Sequence, residues 1–141
     1  MQNDATQIQA RIARIATEGA DAARIADAAA AAWRDVDAAL SPIISQKGVA
    51  ALYKRSLYLT RGEHPCLAVI HEGTLRPGEF DTLQTTLSQR TKAEALAANG
   101  ALLQTFCTLL SNLIGASLTA QLLRSISDPP SSGDAAQENR L

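Results

Sequence analysis

Apolar positions in residues 1–40 fall into one repeat. Ile8, Ile12, Ile15, Gly19, Ala22, Ala26, Ala29, Trp33, Val36 and Leu40 are separated by four and three residues in strict alternation. That spacing returns side chains to one face of an α-helix and, when sustained, forms an a/d heptad seam. Arg11, Arg14, Glu18, Asp21, Arg24, Asp27, Arg34 and Asp35 fall between them and make the other face polar. Gly19 costs about 1 kcal/mol relative to Ala inside a helix, yet the phase of the repeat is kept across it. The pattern therefore predicts one helix over about residues 4–41, with a helix pair breaking near Gly19 as the alternative.

Further along the chain the same periodicity recurs in shorter runs. Pro42 ends or kinks the first helix, because proline pushes the residue before it out of the α region; alternatively Ser41 caps a new helix with Pro42 in its first turn. Gly48 marks another expected break. Val49, Leu52, Tyr53, Leu57 and Leu59 predict a helix, and Arg61–Pro65 predicts a turn. Cys66–His71 reads as a short helix started by Pro65, because no second segment offers a partner strand. Residues 73–78 form a loop. Phe80, Leu83 and Leu87 give the next helix a buried face. Leu96, Leu103, Phe106, Leu110 and Leu113, widened by Leu102 and Leu109, predict a central helix over about 91–112. Gly115 suits a cap, and Ser117 or Thr119 restarts a short helix through Ile126.

The expected fold is thus an all-α helical bundle, with a long N-terminal helix, or helix pair, carrying an Ala-rich heptad seam. Residues 1–127 form a single helical domain. Residues 128–141 are polar, lack periodicity and read as a disordered tail.

Composition sharpens this picture. About a fifth of the 141 residues are Ala, aromatics are 4% and valines number three. Strand-forming residues are scarce, which excludes a β-sandwich or barrel. Net charge is −1, distributed as −2 over residues 1–40, +3 over 41–127 and −2 beyond. No basic stripe of the kind nucleic acid demands is evident. No apolar run reaches the roughly 18 residues of a membrane span, and the N-terminus lacks a secretory pattern. Cys66 and Cys107 stand far apart without a CxxC spacing, so reduced thiols in a cytoplasmic protein are expected.

Candidate chemistry is sparse. Glu63, His64, Cys66, His71 and Glu72 match no metal-ligand spacing, and no phosphate loop occurs. No catalytic constellation and no cofactor are expected. Lys47, Lys54, Arg55, Tyr58 and Arg61 gather basic and aromatic groups on one helix, a candidate anion or partner patch. Ile70-His71-Glu72-Gly73-Thr74-Leu75-Arg76-Pro77 loosely resembles the His-Glu…Pro box of histidine-kinase dimerisation helices. Here Gly73 interrupts the helix after the histidine, the proline comes one place late and the arginine is displaced. That resemblance implies phosphotransfer at His71, and the alternative function is a phosphotransfer or small anionic or apolar ligand-binding protein that uses residues 61–77, with His64, His71 and Arg76 as its site and Arg61 as a further anion contact.

The heptad seam is the strongest signal. A helix of about 37 residues would be about 55 Å long, against a radius of gyration of roughly 14–15 Å for a domain of this size. An overhanging apolar stripe needs a cover, which points to a homodimer through Ile8, Ile12, Ile15, Ala22, Ala26, Ala29, Trp33, Val36 and Leu40. The expected function is a non-enzymatic helical interaction module of the bacterial regulatory or signalling adaptor kind, with another signalling protein as a further partner.

Overall fold

The computed structural model describes residues 3–73 and 76–127. Six helices succeed one another: α1 (Asn3–Thr17), α2 (Ala22–Thr60), α3 (Pro65–Glu72), α4 (Asp81–Ser88), α5 (Lys92–Ile114) and α6 (Ala116–Ser127). There is no strand among the described residues, so the chain is an all-α bundle. The expected tail at 128–141 lies outside the described residues, as do Thr74 and Leu75 of the expected loop.

The N-terminal helix breaks at Gly19, and the reason is local. Gly19 adopts φ +102, a region open to glycine and costly for residues with a Cβ. Its N–H donates to the Ala16 carbonyl, and the Ala20 N–H donates to the Ile15 carbonyl. Those two bonds make a Schellman motif that closes α1. Asp21 then caps α2, its carboxylate accepting from the Arg24 N–H at 3.0 Å. The Gly-Ala-Asp sequence thus carries a stop and a start, while the heptad phase runs on unchanged.

Folding the stripe back on itself changes what covers it. Ile8, Ile12, Ala26, Ala29, Trp33, Val36 and Leu40 are all buried inside the chain; only Ile15 and Ala22 remain half-exposed. α1 packs against α5, α6 and α2. The expected intermolecular seam is therefore the intramolecular core, and a 55 Å overhanging stripe does not exist. Engaging these buried side chains with another molecule would require opening that core.

α2 continues past Pro42, but it is kinked. Ser45 takes φ 71, ψ 160, so the element consists of two helical arms. Pro42 lacks the N–H that would bond the Ala38 carbonyl, and the Ser41 hydroxyl donates to the Asp37 carbonyl at 2.7 Å. The Ser45 hydroxyl accepts from the Gly48 N–H at 3.1 Å and so caps the second arm. The expected break at Gly48 is displaced to Ser45, and Gly48 is helical. α2 lies against α5, α4 and α3 and forms the spine of the bundle.

Four of the five aromatic residues meet around Trp33. Its ring centroid lies 5.2 Å from Tyr53, 6.0 Å from Phe80 and 5.0 Å from Phe106, and Tyr53 lies 5.2 Å from Phe80. Three of these pairs are edge-to-face and Trp33–Phe80 is stacked, and aromatic pairs in such geometries add about 0.5–1.5 kcal/mol each beyond area burial. The indole N–H donates to Asn99 Oδ1 at 2.9 Å, Asn99 Nδ2 donates to Gln9 Oε1 at 3.0 Å, and Gln9 Nε2 donates to the Leu96 carbonyl at 2.8 Å. This relay, buried at Trp33–Asn99 and part-buried at Gln9, fastens α1 to α2 and α5. Leu113, expected on the buried face of α5, is 60% exposed. It lies one turn from the Gly115 corner (φ +95), where the chain leaves for α6.

Candidate functional site

Tyr58, on the second arm of α2, is the fifth aromatic and stands apart from the core cluster. It is exposed, as is Leu59 beside it. The Arg61 guanidinium carbon lies 3.8 Å from the centre of its ring and that of Arg55 lies 5.6 Å away. These are cation–π distances. Arg61 also donates from Nη1 to the Tyr58 carbonyl. His71, in the last turn of α3, approaches the same ring at 5.6 Å. Two arginines, one tyrosine and one histidine thus gather on a surface shared by α2 and α3.

The helix geometry explains the gathering. Lys47, Lys54, Tyr58 and Arg61 recur at seven, four and three residues, which places them on one side of the second arm. Lys47, Lys54 and Arg55 are all solvent-facing. The opposite side, carrying Val49, Tyr53, Ser56, Leu57 and Thr60, is buried. Among the described residues the ion pair is Arg34–Asp81 at 3.3 Å, on another part of the molecule. No carboxylate among them is paired with Lys47, Lys54, Arg55 or Arg61. Lys47, Lys54, Arg55 and Tyr58 thus lie exposed on the second arm, Arg61 stands half-exposed at its end, and tertiary packing brings His71 beside Tyr58.

The second group of predicted residues is divided. His64 precedes α3 and His71 lies in its last turn, so the two stand about 10 Å apart along the helix axis. Gly73 caps α3 immediately after Glu72, so the helix ends one residue past the histidine. Arg76 is exposed in the loop after it. His64 instead belongs to an open cleft of about 370 Å³ with Glu63, Pro65, Cys66, Arg90, Ala93, Glu94 and Ala97.

Arg90 and Glu94 were not legible as site residues in the sequence. Glu94 belongs to the Thr91 capping box at the start of α5, where Thr91 and Glu94 exchange hydrogen bonds, and Arg90 immediately precedes it; only tertiary packing brings that corner to α3. Burial pushes the Cys66 thiol above its ordinary value; Arg90 opposes this and Glu94 reinforces it. The cleft therefore holds a protonated thiol at neutral pH, a poor nucleophile. Among the described residues no group of His, Cys, Asp and Glu is arranged to hold a metal ion, and no helix is long and apolar enough to cross a membrane.

No protein-family model, curated protein or solved structure matches the chain. Its surfaces alone carry the functional reading.

A third surface is formed by α1 and the first arm of α2. α1 and the first arm of α2 diverge over an open groove of about 460 Å³. Its floor is Ile8, Ile12, Ile15, Ala28 and Ala32, with Ala31 at the edge; its charged rim is Arg11, Arg14, Glu18 and Asp35.

Proposed function

We propose that the chain is a non-enzymatic helical interaction module, an adaptor that presents the Arg55–Tyr58–Arg61–His71 face, extended by Lys54 and Lys47, to an acidic surface of a partner protein. The observation that carries this reading is the stacking of Arg61 and Arg55 on an exposed Tyr58 with no carboxylate partner among the described residues. The ring at 3.8 Å and the Tyr58 carbonyl hold the Arg61 guanidinium in place before a partner arrives, which lowers the ordering cost of binding. Arginine presents a planar fork of donors suited to carboxylate groups. Tyrosine and arginine are also the residues that most often dominate binding energy at interfaces.

The test is site-specific photocrosslinking in cells. A photoreactive amino acid replaces exposed Leu59, and adducts are identified by mass spectrometry. A defined partner is expected whose crosslinked peptide is rich in Asp and Glu. The Arg55→Glu/Arg61→Glu variant is expected to lose that adduct while unfolding within about 0.5 kcal/mol of the parent, as surface substitutions do. An adduct that survives the double reversal, or a crosslinked peptide without acidic residues, refutes the reading.

A further inference from the structure

The basic face contains one group of a kind that changes charge near neutral pH. An imidazole gains or loses its proton between about pH 5 and 8. Arginine and lysine stay charged through that interval, and tyrosine stays neutral. At this face the imidazole is that of His71, half-buried in the last turn of α3, with its ring 5.6 Å from that of Tyr58. The Arg61 guanidinium lies on the same tyrosine ring at 3.8 Å. The imidazole and that guanidinium therefore lie within about 10 Å of each other, one Debye length at 0.1 M salt. A cluster of carboxylates spanning the face meets both.

We infer that His71 makes this face pH-sensitive: it takes up a proton as the carboxylates of an acidic partner arrive, and the partner is held more tightly at pH 6 than at pH 8. The inference rests on the reading of the face as a contact for an acidic surface. A carboxylate beside an imidazole favours its charged form, and by linkage the charged form favours the carboxylate by the same factor. The extra affinity is therefore present at low pH and lost as the pH rises. The surroundings of His71 leave the role open to a partner. From α2 come Tyr58, Arg55 and Arg61. On α3 the adjacent Glu72 is exposed, and the loop beyond carries Arg76 and Glu79. α4 also packs on α3, and its one ionisable residue, Asp81, is engaged by Arg34 at 3.3 Å. Among the described residues no carboxylate is paired with His71. The free carbonyls ending α3 favour a positive charge at that position.

The test is the affinity of the full chain for a fluorescent oligo-aspartate peptide, read by anisotropy at about pH 6 and about pH 8, the two sides of the imidazole range, at fixed ionic strength. Binding is expected to be about fivefold or more tighter at the lower pH, the worth of one close charge pair in water. His71→Gln is expected to abolish this difference, and His64→Gln, in the cleft at the other end of α3, to keep it. In the NMR spectrum of the parent, the His71 Cε1 proton is expected to shift toward its imidazolium position when the peptide is added. A pH difference that survives His71→Gln overturns the inference. So does equal affinity at the two pH values while Arg55→Glu/Arg61→Glu still abolishes binding, a result that leaves the acidic-partner reading standing. A peptide that binds at neither pH, or that binds the Arg55→Glu/Arg61→Glu variant equally well, overturns both.

Discussion

Asn99 shows how much of the packing turns on one polar side chain. It is fully buried, accepts from the Trp33 indole and donates to Gln9. Replacing it with Ala strands a buried N–H on one side and a carbonyl on the other. The expected cost is about 1–3 kcal/mol, measured as the shift in a urea unfolding curve. Tyr53 carries a second consequence. Buried against Trp33 and Phe80, its phenol is pushed above the ordinary value of 10.0 by desolvation. The folded state favours the neutral phenol, so this contribution is complete below pH 10 and lost as the pH climbs further. Urea titrations between about pH 9 and 12 should show stability falling in the parent, and Tyr53→Phe should remove that phenol's part of the fall.

Two breaks set the geometry of the elements, and they differ in kind. The turn at Gly19 uses a residue suited to its conformation, with Asp21 capping the start of α2. The kink at Ser45 places a residue with a Cβ at φ 71, ψ 160, a region occupied almost only by glycine. Two substitutions separate the strain there from the capping. Ser45→Gly relieves the strain and forfeits only a few tenths of a kcal/mol of capping, so a net gain of about 1 kcal/mol is expected. Ser45→Ala keeps the strain and removes the hydroxyl that receives the Gly48 N–H, so a loss of about 1 kcal/mol is expected. Thermal unfolding monitored by circular dichroism reads both signs. If both variants lose stability, the backbone at Ser45 is not strained.

Across the whole molecule, α2 is the spine and Trp33 its centre. Trp33 is the single tryptophan, and it touches residues from the second arm of α2, the segment leading into α4, and α5. A bundle organised this way should unfold as one unit. The Trp33 fluorescence transition and the helical circular dichroism transition are expected to share one midpoint. Separate midpoints would mean that part of the bundle melts independently of the aromatic cluster. The basic face and the α1/α2 groove occupy different parts of this frame. The basic face belongs to the second arm of α2 with α3, and the groove belongs to α1 with the first arm, so substitutions in one are expected to leave the other intact.

The sequence by itself determined the helical class and most of the inward face of α1, α2, α4 and α5, with Leu59 and Leu113 as exceptions, because a period near 3.6 records burial. It also located the basic face, since Lys47, Lys54, Tyr58 and Arg61 share one side of a helix whatever the tertiary arrangement. The turn at Gly19-Ala20-Asp21 was encoded there too, in a glycine stop with an Asp cap after it, but the unbroken heptad phase outweighed it. A heptad records that a face is covered and says nothing about what covers it. Only the tertiary structure decided that α1, α2 and α5 cover the seam within one chain, that Trp33, Tyr53, Phe80 and Phe106 converge, and that His64 meets Arg90 and Glu94 while His71 meets Tyr58. These juxtapositions depend on how helices distant in sequence dock, and no local spacing encodes that.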